Sequence, residues 1–174
     1  MNTSEFTMFL ATSKDITKEI LEFFAKDEDR DIREALASNP TTPMEILEIL
    51  AKDEDYLVRE SVAKNSNISM KVLEFFAKDE NPFIRASVAQ NPRTPKEILE
   101  FLAKDKDYWI RSSVAQNPKS SKETLELLAK DENWSVRAYV TLNPKTPKEI
   151  LEILAKDENW NICAFIAERL KKVK

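Results

Sequence analysis

Apolar positions in this chain follow two superimposed periods. Over short stretches they fall at spacings of one, three and four, as in Ile98, Leu99, Phe101 and Leu102, which marks one broad face of a helix and not the alternation of a strand. Over longer distances the whole pattern restarts every 26 residues, at Leu21, Leu47, Leu73, Leu99, Leu125 and Leu151. A unit this short cannot close a core of its own, so its apolar face must be buried against neighbours of the same kind. The pattern predicts an all-α solenoid of two-helix repeats, each layer adding about 8–10 Å.

The unit from Asn91 to Gln116 shows how the helices are punctuated. A first helix is expected over roughly 95–104, with Thr94 as the capping hydroxyl, Pro95 at the first helical position and Glu97 closing a T-x-x-E box. Thr42-Pro43-Met44-Glu45 and Thr146-Pro147-Lys148-Glu149 repeat that signature. A second, shorter helix should begin after the acidic turn, capped by Asp107, with Ile110, Val114 and Ala115 facing inward. It should stop at Asn117-Pro118, where proline disfavours a helical predecessor and asparagine tolerates a left-handed exit. A 3₁₀ stretch fits somewhere in such a unit.

The ends depart from the period. Residues 1–12 hold only a second-helix remnant, with Leu10-Ala11 in the columns of Leu36-Ala37, and are expected to act as a capping half-repeat. Residues 13–168 form six units, and 169–174 a polar capping tail. Ile162 to Leu170 runs through the place where Asn and Pro end the other helices. On this reading residues 1–174 are one complete repeat domain.

Columns that cannot vary separate from columns that do. Leu, Ala, Lys and Asp of L-x-x-x-A-K-D occur in all six copies. Five copies carry an arginine six residues later, at Arg33, Arg59, Arg85, Arg111 and Arg137, and five carry an asparagine six residues beyond that, from Asn39 to Asn143. A guanidinium near a layer interface needs a carboxylate, so a structural ladder is expected. The last copy has Cys163 in place of arginine yet keeps Asp157. Arginine should therefore pair with the aspartate of the following unit: Arg33 with Asp53, Arg59 with Asp79, Arg85 with Asp105, Arg111 with Asp131 and Arg137 with Asp157. The asparagine amides should satisfy loop groups of adjacent turns.

The variable columns after the acidic turn concentrate aromatic residues: Tyr56, Phe83, Tyr108, Trp109, Trp134 and Trp160. Stacking would align them into a ridge, and Tyr and Trp dominate binding hot spots. The competing reading is a row of staples, each ring covering the start of its own helix. Around the next turn Arg93, Lys96, Lys119, Lys122, Lys145 and Lys148 form a basic face confined to the later units. It is either a solvated face or, beside aromatic rings, a groove for single-stranded nucleic acid.

Composition narrows the classes. The chain has no glycine and no histidine, and Cys163 is its one cysteine, so an internal disulfide and a zinc or iron–sulfur centre are both ruled out as designs. The net charge is −4, unevenly spread: residues 13–64 hold 8 Lys or Arg against 14 Asp or Glu, and residues 65–174 hold 19 against 16. That is too weakly basic for the dense stripe of a duplex binder. No nucleophile with a base, phosphate loop or carboxylate dyad stands out, and acidic strings such as Asp27-Glu28-Asp29 lack the glycine of a calcium loop. The expectation is a non-enzymatic, cofactor-free cytoplasmic protein with no membrane span or secretory signal.

The strings from Ala35 to Asp53 and from Val88 to Asp105 carry A-x-N-P, T-P and L-x-x-L-A-x-D, which the chain combines with V-R. In these motifs nearly the whole chain resembles the leucine-rich repeat variant family. The resemblance implies a right-handed superhelix of paired short helices with 3₁₀ character in one, and a scaffold presenting an extended binding surface. The D-x-x-x-x-[VI]-R element is also similar to HEAT repeats, although 26 residues is short for one. The cysteines of the accessory iron–sulfur domain that some family members carry are missing here. Three functions follow as expectations: a protein or peptide scaffold using the aromatic ridge, nucleic-acid binding along the later units, or an engineered scaffold with no evolved partner. Regularity and missing glycine favour the last, while Ser66, Pro82 and Thr124 break a pure consensus.

Overall fold

The computed structural model describes residues 5–6, 9 and 17–171. Among them are twelve α-helices and no strand. Each repeat supplies a seven-residue first helix and a longer second one: α1 (Lys18–Phe24) and α2 (Arg30–Ser38), α3 (Met44–Leu50) and α4 (Tyr56–Lys64), α5 (Met70–Phe76) and α6 (Pro82–Gln90), α7 (Lys96–Leu102) and α8 (Tyr108–Gln116), α9 (Lys122–Leu128) and α10 (Trp134–Leu142), α11 (Lys148–Leu154) and α12 (Trp160–Lys171). The predicted helical repeat solenoid is the observed architecture. The first helices tighten as they end: Lys52 N–H donates to Ile49 O and Asp53 N–H to Leu50 O, both at 3.1 Å, the i→i+3 bonding of a 3₁₀ turn.

The second helices start where expected, after Asp29, Asp55, Asn81, Asp107, Asn133 and Asn159; Asp55 Oδ1, for example, accepts from Leu57 N–H at 2.8 Å, whereas the cap bond expected of the Asp107 side chain is not formed. The first helices do not start as expected. The T-x-x-E box is not formed: the cap position falls to Pro43, Pro95 and Pro147, one residue later, and the threonine points backward. Thr42 Oγ1 donates to Leu36 O at 2.6 Å and Thr146 Oγ1 to Val140 O at 2.5 Å, each satisfying an end carbonyl of the preceding second helix. Where serine replaces proline it does cap: Ser69 Oγ accepts from Val72 N–H and Ser121 Oγ from Thr124 N–H.

The left-handed exit is also not used. Asn117 has φ −65° and ψ 127°, the other exit asparagines are likewise extended, and no described residue has positive φ. Turns that run through negative φ at every described residue leave no position there that demands glycine, in keeping with a sequence that has none.

The chain divides into two compact units, Met1–Asn91 and Pro92–Lys174. In the first, α2, α4 and α6 pack one upon the next, with Ile46, Leu47, Leu50, Val58, Val62, Phe76 and Ile84 fully or almost fully buried between layers. Phe6 is buried against Phe24, their rings 4.6 Å apart. In the second, α8, α10 and α12 stack in the same way over Leu99, Leu102, Ile110, Val114, Leu128, Val136, Val140, Leu154 and Ile162. Phe101, expected on the inward face, is 53% exposed. It lies roughly 60° beyond Ile98 on the helical wheel, outside the arc that Ile98, Leu102 and Leu99 cover.

Leu10-Ala11 and residues 172–174 lie outside the described residues, so only part of each expected cap is seen. The part at Arg169 is informative. α12 continues through the asparagine column, and Arg169 Nη1 donates to Thr141 O and Asn143 O, standing in for the missing amide.

Candidate functional site

Two of the repeated features are bonded within the stack. Arg33 donates to both carboxylate oxygens of Asp53, from Nε at 2.7 Å and from Nη2 at 3.1 Å. Arg111 does the same to Asp131 and Arg137 to Asp157, at 2.7 and 2.9 Å in each case. Arg59 reaches Asp79 through Nε alone, at 3.3 Å. Every arginine of the column, Arg85 included, also donates from Nη1 to two carbonyls of its own unit's turn, as Arg111 does to Asp105 O and Lys106 O. Asp105 turns Oδ1 to Asp107 N–H at 3.0 Å. Arg33, Arg59, Arg111 and Arg137 thus each clamp a turn of their own repeat to a carboxylate of the next, with roughly nine-tenths of both side chains buried. The carboxylate bond holds the Arg33, Arg111 and Arg137 guanidinium groups above the usual arginine range and the Asp157 carboxyl below the usual carboxylate range. In the last repeat Cys163 Sγ donates to Asp157 O at 3.3 Å.

The asparagines form a second spine. Asn65 Nδ2 donates to Ala37 O at 2.7 Å and Asn39 O at 2.9 Å, while its Oδ1 accepts from Asn67 N–H. Asn143 makes the equivalent bonds to Ala115 O, Asn117 O and Lys145 N–H, and Asn91 those to Ala63 O and Asn65 O. These are buried amides closing the ends of second helices, a structural arrangement with no group left over for chemistry.

The aromatic residues emerge at the surface. Tyr56, Tyr108, Trp134 and Trp160 are each the first residue of a second helix, and Phe83 the second residue of α6. Their exposures run from 43% at Tyr56 to 74% at Trp160, whereas Trp109 is half-buried. Tyr56 and Phe83 come together, their rings 6.5 Å apart and tilted by 32°. The aliphatic residues beneath, Val58, Ile110, Val136 and Ile162, are completely buried.

The six basic candidates, Arg93, Lys96, Lys119, Lys122, Lys145 and Lys148, are all exposed and all fall in the second unit. Three of these charges are answered locally: Lys122 meets Glu126 at 3.8 Å, Lys148 meets Glu152 at 3.4 Å, and Lys96 lies 3.9 Å from Glu97.

Sequence reasoning missed an exposed column at the ends of the first helices, present in both units. The column of Phe101 holds Phe23, Phe75, Leu127 and Ile153, all exposed, and the half-buried Ile49. Three residues on, the invariant Lys26, Lys52, Lys78, Lys104, Lys130 and Lys156 are all exposed as well. The signal was present, because a lysine that never changes while facing water has no packing reason to be kept, but the apolar column was merged with the inward face. Among the described residues no group of His, Cys, Asp or Glu could hold a metal ion, and no helix is long and apolar enough to cross a membrane.

No family model and no curated protein matches this chain. A solved structure does: one described as a leucine-rich repeat variant with a novel repetitive protein structural motif is 25% identical, with a TM-score of 0.53, over 97% of this chain and 82% of that one. The stacked pairs of short helices and the motifs from Ala35 to Asp53 and Val88 to Asp105 therefore agree: this chain is similar, over nearly its whole length, to a leucine-rich repeat variant.

Proposed function

We propose that this protein is a non-catalytic, cytoplasmic scaffold that binds a protein or peptide through the aromatic residues at the starts of its second helices. The observation that carries the reading is the exposure of Tyr56, Tyr108, Trp134 and Trp160 at the first position of their second helices, and of Phe83 at the second position of its own. Large rings half in water, held by a capped helix start and free of any packing demand on their outer face, supply contact area at low entropic cost. A binding role also suits a helical repeat fold, which exposes far more surface per residue than a closed core does. Nucleic acid is the weaker reading, since Lys96, Lys122 and Lys148 already have carboxylate neighbours.

Selection from a displayed random-peptide library tests the proposal, with Trp134→Ala/Trp160→Ala as one comparison and Lys122→Ala/Lys148→Ala as the other. Peptides whose affinity falls at least tenfold in the tryptophan variant and little in the lysine variant support the aromatic surface. Recovery of no peptide, together with oligonucleotide binding that weakens steeply with salt, overturns it. Binding of neither leaves a scaffold with no partner of its own.

A further inference from the structure

In the first unit an open groove of about 830 Å³ lies between the second and third repeats. The exposed ring of Phe75, the Arg59–Asp79 pair, and Lys52, Lys71 and Lys78 line it. Two independent features distinguish this place from its counterparts in the other repeats.

The first is Lys71. Its column holds Glu19, Glu45, Glu97, Glu123 and Glu149 in the other five repeats. That position lies in the first turn of the first helix, where a carboxylate suits the unpaired N–H groups and an ammonium opposes them. Glu19 and Glu123 show the effect: bonded to backbone N–H at the helix start, their carboxyls are held below the usual range. One repeat in six thus breaks the local rule and reverses the charge, the kind of inconsistency that marks a functional position.

The second is Arg59. Arg33, Arg111 and Arg137 each spend Nη2 on the following aspartate, and Glu132 and Glu158 approach Nη2 of the last two at 3.7 and 3.8 Å. Arg59 keeps its two Nη1 bonds to carbonyls but reaches Asp79 through the long Nε bond alone, and among the described residues its Nη2 has no hydrogen-bond acceptor. Arg59, a guanidinium with spare donors, therefore lines the same groove as the reversed charge of Lys71. Asp53, Glu74 and Glu80 also line it, Asp53 being bonded to Arg33. The surrounding field is mixed, so attraction must act at contact range and favours a doubly charged ligand with several acceptor oxygens over a single carboxylate.

We propose that this groove is a phosphoryl-binding site, with Lys52, Lys71 and Lys78 as point charges, the Nη2 edge of Arg59 as the directed donor, and Phe75 against the apolar carrier of the group. It is separate from the aromatic surface and does not depend on a peptide partner.

The test is titration of isotope-labelled full-length protein with inorganic phosphate and, separately, phenyl phosphate, following the Arg Nε–Hε and backbone amide resonances against sodium chloride of equal ionic strength. A saturable shift at Arg59 and Phe75, with Arg111 and Arg137 unmoved, is expected. It should weaken about tenfold in Lys71→Glu, a change to the residue five repeats already carry, and partly in Lys71→Gln. Tighter binding of phenyl phosphate assigns the site to a ring-borne phosphoryl group; equal affinities assign it to free phosphate. Shifts that do not saturate, that appear equally at Arg111, or that persist unchanged in Lys71→Glu overturn the site.

Discussion

Single side chains in this protein are decided by whether a buried polar atom finds a partner. The amide of Asn65 closes two carbonyls of the preceding repeat, so Asn65→Ala should orphan them and cost about 2–3 kcal/mol by chemical denaturation. The opposite case is Ser112, whose buried hydroxyl has no hydrogen-bond partner among the described residues. Ala86 and Ala138 hold its column in neighbouring repeats, so Ser112→Ala should fit and stabilise by about 1 kcal/mol; an unchanged or lower midpoint would contradict that account. Asp157 carries a pH dependence. Its carboxyl is held below the unfolded value by the Arg137 bond, so its contribution is present above about pH 4 and is lost as pH falls through the folded value. The stability gap between wild type and Asp157→Asn should accordingly be largest near neutrality and close in acid. The asparagine and arginine columns were legible because they repeat without change. The direction of the threonine hydroxyl was not, because Thr94 and Thr146 satisfy a capping pattern in sequence that the following proline displaces by one residue.

At the scale of the element, seven residues are too few for a helix to be stable alone, and each first helix depends on the layer it covers. Its small length also explains why the apolar face was overestimated: Ile98, Leu99 and Leu102 fill the inward arc, and Phe101 is left on the shoulder in water. Charge in the first turn is a separate term. Lys71 opposes the start of α5 (Met70–Phe76), so Lys71→Glu should raise stability by about 0.3–1 kcal/mol at low salt, with the gain shrinking as salt is added. A fall in stability would show that Lys71 is held by packing and not kept for its charge. The positions where the second helices start were readable, since an Asp or Asn side chain bonding two residues ahead, as at Asp29, Asp55, Asn81 and Asn133, is a local event; that Asp107 holds the same position without that bond was not.

For the molecule as a whole, contacts between adjacent repeats carry the stability, so distant losses should sum. Asn65 and Asn143 share no partner, and Asn65→Ala/Asn143→Ala should cost the sum of the single changes to within about 0.5 kcal/mol. A large departure would mean that unfolding is not two-state or that the units are coupled through something other than nearest neighbours. The sequence by itself determined the all-helical class, the 26-residue register and the identity of the repeated bonding columns, because a unit that must fit the same neighbour six times writes its constraints as periodic residues. Only the tertiary structure decided which apolar columns stay in water, where the threonines point, that the Arg59 bond is looser than its counterparts, and that Lys71 shares its groove. Those properties depend on how much of each side chain a neighbouring layer covers, and coverage is a property of the packed layers rather than of any position in the repeat.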